Sequence, residues 1–403
     1  MVILGKWGER PVTLSLKPGS LTVSVDGPEQ ATVMAYDRAG RPWTAYLDEV
    51  SYRRGLDGRV MAKWRTAGEG RERRHLAVDE AAGLERRLWE SLLSLCEGIE
   101  RGKVSWRTPF PGEAWEALQT ALAFDAEASQ RDAARYFDIY KPVGILPPDH
   151  YMAVVLQATE GCSFNTCTFC DFYKDRPFRI KSPEEFRAHA QAVRDYLGAG
   201  LSLRRTLFLG DANALVIPLP RLVPLLEITN EIYDVEALTG IYGFMDGFSG
   251  QKKTRDDYAK LAELGLAGVY IGLESGHNPL LERLKKPGLA EDVIEAAVAL
   301  KAAGVAVSVI VLLGAGGAEM AEAHVRDTAR ALNAMPLDGE DIVYFSELIV
   351  HEGLPYAQDA AGMQPLSHAE RLAQGDAIEA RLRFRDPADR PIVSRYDIRE
   401  FVH

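Results

Sequence analysis

Apolar and polar positions alternate with a period of two from Val12 to about His75, in the runs VTLSLK, LTVSV, ATVMAY, WTAYL and RVMAKWRT, with turn signals such as PGS and RAGRP between them. Alternation of that kind puts every second side chain on one face of a pleated surface, and predicts a β-meander or small antiparallel barrel. Near Asp79 the period changes. Leu84, Leu88, Leu92, Leu95 and Ile99 recur every three or four residues as far as Arg101, the stripe of an amphipathic helix, with Cys96 beside it. RTPFPGE breaks this helix, a second helical stretch runs from Glu113 to Phe137, and the prolines of IYKPVGILPPDH read as a linker.

Beyond His150 the pattern becomes strand then helix. Six short apolar runs, YMAVVLQAT, TLFLG, IYGFM, GVYIGL, AVSVIVLLG and DIVYFSELIV, are each followed by one or two helical stretches, the last from Ser367 to about Arg383. Strands alternating with helices predict a parallel sheet with helices outside it. The organisation expected is a β-rich part over 1–77, a helical segment and linker over 78–149, an α/β domain over 150–366, and a C-terminal helix and extension over 367–403. In such a domain ligands gather at the C-terminal ends of the strands.

A chain of 403 residues, 47% hydrophobic and 26% charged, has the balance of a soluble globular protein. The net charge of −11 disfavours nucleic acid or an anionic membrane as a general partner, although residues 1–77 carry 13 Lys and Arg against 9 Asp and Glu. The opening MVILGKWGER has no apolar core of a signal peptide, and VAVSVIVLLGAG from Val305 is shorter than the roughly 18 residues a span needs. The expectation is a cytoplasmic protein. Four cysteines, three of them within GCSFNTCTFC, do not make a disulfide framework.

Cys162, Cys167 and Cys170 lie just past the first strand of the α/β part, at its ligand-binding end. Zinc in a structural site wants four protein ligands, and His150 is the candidate fourth. A four-iron cluster on three cysteines instead leaves one iron open to a further ligand. At this point the chain resembles the radical S-adenosylmethionine (SAM) superfamily, specifically its elongator-like and coproporphyrinogen-oxidase-like branch. The hallmark there is a three-cysteine loop after the first strand of a partial (β/α)6 barrel. The usual loop is Cys-x3-Cys-x2-Cys, and this chain has one more residue in the first gap; Phe169 before the third cysteine fits the pattern. The likeness extends over roughly Tyr151 to Val350. In LFLGDANAL it implies that Gly210, Asp211 and Asn213 stand where a Gly-Gly-Glu-like turn holds the amino group of SAM. In YIGLESGHNPLLERLKKPG it points Glu274 and Ser275 into the cofactor pocket, with Glu274 accepting ribose hydroxyls. In VSVIVLLGAGG it sets Val311 and the backbone near Gly314 against adenine. Taken singly, these glycines read as ordinary turn residues, Asp211 as a helix cap and Glu274 as a surface carboxylate; the resemblance rests on their order and intervals.

What the resemblance implies is an enzyme with one 4Fe-4S cluster and SAM as cofactors, supplied with electrons by a donor such as flavodoxin or ferredoxin. Reductive cleavage of SAM would give a 5′-deoxyadenosyl radical that abstracts hydrogen from a substrate the sequence does not identify. Cys96, the one cysteine outside the loop, is too little for a second cluster, so sulfur insertion is not expected. Two other readings stay open: an RNA-modifying member using the basic N-terminal part, and a non-enzymatic zinc protein. FYKDRPFRIKS, with Lys174, Arg176, Arg179 and Lys181, reads either as an anion-binding stretch or as a solvated turn.

Overall fold

The computed structural model describes residues 1–27, 30–66, 70–248, 253–384 and 386–403. The chain divides into two compact units, one made of 1–154, 191–205 and 399–403, the other of 155–190 and 206–398.

The first unit carries an antiparallel sheet of nine strands: β1 (Val2–Trp7), β2 (Arg10–Lys17), β3 (Ser20–Asp26), β4 (Ala31–Asp37), β5 (Pro42–Leu47), β6 (Val50–Arg54), β7 (Val60–Thr66), β8 (Gly70–His75) and β9 (Val104–Trp106). Its order is β8-β7-β6-β5-β4-β3-β2-β1-β9, so it is an extended meander and not a small barrel. The five expected runs are β2, β3, β4, β5 and β7; β1, β6, β8 and β9 are additions that the alternation left unmarked. One face is apolar. Leu14, Val23 and Met34 pack there with Leu88, Leu92, Leu95 and Cys96 of α1 (Val78–Glu100) and with Ala114 and Leu118 of α2 (Gly112–Leu122). Leu92 and Leu95 are wholly buried, and each such side chain contributes about 1.5–3 kcal/mol of transfer free energy. The helical stretch expected over 113–137 is two helices, because Asp125 accepts a 2.8 Å hydrogen bond from the Ala128 amide and starts α3 (Ala126–Ile139) afresh.

The second sheet is the α/β layer. Its strands are β10 (Ala153–Gln157), β13 (Thr206–Gly210), β14 (Ile241–Met245), β15 (Leu266–Glu274), β16 (Ala306–Leu313), β17 (Ile342–Glu347) and β18 (Ile392–Tyr396), in that spatial order. A separate two-stranded pair, β11 (Thr159–Glu160) and β12 (Arg179–Ile180), closes the loop after β10. From β13 onward every neighbouring pair is parallel. The connections are the helices α4 (Pro183–Leu197), α5 (Leu219–Ile232), α6 (Arg255–Glu263), α7 (Asn278–Arg283), α8 (Ala290–Ala302), α9 (Gly317–Ala334), α10 (Pro355–Asp359) and α11 (His368–Glu379). Ser367 and Glu370 form a capping box at the start of α11, where the sequence signalled it.

The six expected strands are present and a seventh joins them. Ile392 to Tyr396 pair with Ile342 to Ser346, but the segment holds few apolar residues and follows a polar, proline-containing stretch, so periodicity did not show it.

Candidate functional site

The cysteine loop leaves the sheet at the C-terminal end of β10 and returns through β12. Its neck is fixed by Thr159↔Ile180 and Glu160↔Arg179 pairing. Gly161 has a φ of 74°, and a side chain there would press on the Pro177 and Arg176 carbonyls, so glycine is required. Asn165 donates to the Tyr173 carbonyl at 2.9 Å. The Thr168 amide donates to the Leu284 carbonyl at 3.0 Å, and the Tyr356 amide to the Thr168 carbonyl at 2.9 Å. Phe169 packs on Leu280, Leu284, Leu312, Leu348 and Leu354, so the aromatic before the third cysteine anchors the loop.

The four cations of FYKDRPFRIKS belong to this scaffold. Arg179 forks onto Glu160 with two bonds of 2.8 Å and reaches Glu185 as well. Lys181 lies 3.1 Å from Glu160. Arg176 is paired with Asp211 at 3.3 Å, and Lys174 donates to the Asn165 carbonyl. These bonds hold Glu160 down to a pKa of about 2, first through Arg179. Each of the four cations has an internal partner, Arg176 and Lys181 buried and Lys174 and Arg179 at the exposed surface of the turn.

Cys162, Cys167 and Cys170 are half-buried free thiols. Burial pushes the Cys170 thiol up to about 12, and the neighbouring Cys167 and Cys162 add to the effect. Burial likewise raises Cys167, against the pull of Lys286. Cys162 acts electrostatically on both Cys167 and Cys170, so the three thiols lie near one another. The donor set, three thiols in one braced loop, fits a cluster held by thiolates. His150, the candidate zinc ligand, is buried beside Asp149, and burial lowers it to about 4.

At the end of β15 the Glu274 carboxylate lies 3.4 Å from the Lys286 ammonium, and both side chains are about nine-tenths buried. Burial raises the Glu274 pKa despite Lys286. Lys286 stays charged because Glu274 and Cys167 outweigh the burial that opposes it. Gly272 makes room for the pair: a Cβ there would fall on the Glu274 carboxylate and 3.2 Å from the ammonium. Lys286 was not assigned from sequence, although it stands in the same LERLKKPG motif.

The second-strand turn does a different task from the one expected. Asp211 is buried; its carboxylate accepts from Gln157 at 2.6 Å and from the Gly161 amide at 3.0 Å, besides facing Arg176. It ties the turn after β13 to the root of the cysteine loop. Gly210 contributes its carbonyl, which accepts from the Ala158 amide at 2.9 Å. Asn213 donates to Ser163 at 3.4 Å and to the Asp246 carboxylate, and accepts from the Asp246 amide at 3.3 Å. Asp246, one residue past β14 and within electrostatic range of Lys286, is the second residue the sequence reading missed; its signal was an acid followed by glycine at a strand end.

Removing the Asp211 carboxylate takes away one of the carboxylates paired with the buried Arg176, Asp175 at 3.2 Å remaining, together with the anchor of Gln157 and the Gly161 amide, a loss of about 1.5–3 kcal/mol for a hydrogen bond to a charged group. Asp211→Ala is therefore expected to unfold at lower urea and to take up less iron. Unchanged stability with weakened SAM binding would return Asp211 to the role of a direct cofactor ligand.

Three other expected positions are now placed. Ser275 is wholly buried, and its hydroxyl is engaged by His324 at 2.7 Å and by the His277 amide at 3.0 Å. Val311 is wholly buried on β16 and is the strand partner of Glu274, just past an irregularity in the β15–β16 register. Gly314, with a φ of 85°, gives its amide to Gln374 at 2.8 Å and is covered by the Arg371 stem. Below Gly210 and Gly272, on their side of the sheet, an aromatic row crosses the strands: Phe208 meets Phe244 at 5.0 Å, Tyr270 meets Tyr344 at 6.3 Å, and Tyr344 meets Tyr396 at 5.3 Å between ring centres.

Residues 156–330 match the family model described as the radical SAM superfamily. No curated protein matches the sequence. Among solved structures, the chain is similar to the cobalamin-dependent SAM radical enzyme OxsB, at 17% identity and a TM-score of 0.37, covering 60% of this chain and only 32% of that one. It is similar to methylornithine synthase (PylB), at 17% identity and a TM-score of 0.39, over 66% of this chain and 73% of that one. It is also similar to coproporphyrinogen III oxidase (HemN) from Escherichia coli, at 13% identity and a TM-score of 0.41, over 55% and 50% of the two chains.

Proposed function

We propose that this chain, whose residues 156–330 match the radical SAM superfamily model, is an enzyme with a 4Fe-4S cluster and SAM as cofactors, that Cys162, Cys167 and Cys170 hold that cluster, and that Glu274 and Lys286 line the place of SAM beside it. The observation that supports this reading is the pairing of a braced three-thiol loop with a buried ion pair whose ammonium faces Cys167. A cluster held by Cys162, Cys167 and Cys170 would supply one-electron chemistry, taken from a donor such as flavodoxin or ferredoxin, for the reductive cleavage of SAM to methionine and a 5′-deoxyadenosyl radical that would take hydrogen from a substrate.

The chain's own residues bind, orient and keep water out. Glu274 accepts hydroxyls of the ribose, since a buried carboxylate prefers a hydrogen-bonded partner to none. Lys286 offers a charged donor to the carboxylate end of SAM. Asp246 and Asn213 face the same end of the sheet, and Asp211 and Gly210 hold the loop in place. Val311, the strand partner of Glu274, and Ile310, the partner of Gly272, supply apolar contacts. The aromatic row beneath forms an apolar floor that would shield a reactive carbon radical.

The test is anaerobic reconstitution with iron and sulfide, reduction in the presence of SAM, and product analysis. A brown protein with about four iron atoms per chain that releases 5′-deoxyadenosine and methionine is expected. Colourless, zinc-loaded protein that leaves SAM intact would sink the proposal. A count near eight iron atoms, with two distinct Mössbauer signatures, would overturn the single cluster and the exclusion of sulfur insertion drawn from it.

A further inference from the structure

Helix α9 presents a polar stripe at His324, Asp327 and Thr328 that the cofactor chemistry above does not use. His324 and Thr328 are fully buried and Asp327 nearly so. All three reach one short segment, the turn Ser275–Gly276–His277 that follows Glu274, Asp327 while also paired with Arg326 and Arg330 on its own helix. The Ser275 hydroxyl and His324 Nδ1 are 2.7 Å apart. The Gly276 amide donates to the Thr328 hydroxyl at 2.9 Å, and that hydroxyl lies 3.3 Å from the same His324 nitrogen. His277 Nδ1 and the Asp327 carboxylate are 2.8 Å apart. The turn closes on itself as well, with the His277 amide donating to the Ser275 hydroxyl at 3.0 Å and the Ser275 amide to the Leu273 carbonyl at 2.7 Å.

Close approach makes the clamp specific. A Cβ at Gly276 would run into the Asp327 main-chain carbonyl, so only glycine lets the turn lie flat on the helix. The Ser275 hydroxyl accepts from the His277 amide and can still either donate to or accept from His324 Nδ1, so either neutral tautomer of the ring closes the link. Burial keeps the ring neutral, its pKa lowered to about 4. A leucine would fill the volume without holding the turn.

The held segment is strained at its start. Glu274 has a φ of 58°, the left-handed region that a glutamate rarely adopts, and that conformation accompanies the fold of its side chain back over Gly272 toward Lys286. We propose that the His324–Asp327–Thr328 stripe of α9 is a positioning device for the cofactor pocket, fixing the turn after β15 so that Glu274 keeps its left-handed backbone and presents its carboxylate beside Lys286. This rests on the reading of Glu274 as a SAM-pocket residue. None of the three stripe residues touches the cofactor; they act through Glu274.

The experiment compares His324→Leu, His324→Asn, Ser275→Ala and Glu274→Ala in the full chain. In the protein without cluster, the Gly276 and His277 amides are expected to exchange hydrogen faster in His324→Leu than in the wild type, by at least about tenfold. After reconstitution, His324→Leu and Ser275→Ala are expected to keep their iron and to bind SAM about tenfold more weakly by calorimetry, the size of one ordinary hydrogen bond. Cleavage at saturating SAM should be little changed, giving a KM effect without a kcat effect. His324→Asn, which puts an amide oxygen near the place of Nδ1, should recover most of the loss. If His324→Leu and Ser275→Ala bind SAM like the wild type while Glu274→Ala does not, the clamp is refuted and the pocket reading stands. If Glu274→Ala also binds normally, the pocket reading itself fails. Should His324→Leu not fold, Ser275→Ala alone decides, since it deletes only the hydroxyl that links the turn to the ring.

Discussion

Alanine at Cys162, Cys167 or Cys170 is expected to abolish both the brown colour and the release of 5′-deoxyadenosine, while Cys96→Ala keeps both. The asymmetry follows from where the thiols sit. Three are half-buried in a loop whose neck, root and aromatic anchor are each fixed by named contacts, and each would carry one iron. Loss of one leaves two cysteine ligands, too few for a cluster that is held by thiolates. Cys96 is packed among Leu92, Leu95 and the sheet residues of the other unit, and its replacement removes only a small apolar contact. Iron and sulfide analysis with electron paramagnetic resonance of the reduced protein reads the result. A triple-cysteine variant that retained a full complement of iron would show that the loop is not the ligand set.

Gly272→Val is expected to leave the fold and the iron in place and to weaken SAM binding by about 100-fold or more, the cost of losing one or two hydrogen bonds to charged groups. Valine suits a strand backbone, so β15 should form normally. The new side chain would occupy the space that the Glu274 carboxylate now fills. That carboxylate is the end of a flexible chain and can swing away, which spares stability but parts it from Lys286. The burial of both groups turns a small steric change into a large functional one, because neither charge has water to fall back on. Calorimetric titration of reconstituted protein with SAM is the measurement, with thermal unfolding as control. Normal SAM affinity in a protein with intact iron would mean that the Glu274–Lys286 pair lies outside the pocket.

The chain announced its α/β layer and its thiol loop through patterns that are local. Six apolar runs followed by helices, three cysteines within nine residues, and a glycine-rich strand end can all be read along a line. What escaped was nearly all pairwise and distant. The hydroxyl of Ser275 meets His324 across 49 residues, and Asp211 meets Gly161 across 50; no spacing rule connects such positions. Charges misled for the same reason, since Arg176, Arg179 and Lys181 look like a basic stretch until their carboxylates arrive from other elements. The seventh strand lacked periodicity altogether and is defined by its partner, β17.

The seclusion of Cys96 bears on how this protein would recover from damage by air. A thiol pushed up to about 12 by burial, with Glu100 adding to the effect, is almost never the thiolate that attacks a disulfide. Were oxygen to strip a cluster held by the loop, Cys96 would stay out of the exchange, and any wrong disulfide within one chain would join two cysteines of the same partly open loop. A mild reductant should then restore the ligand set without unfolding the chain.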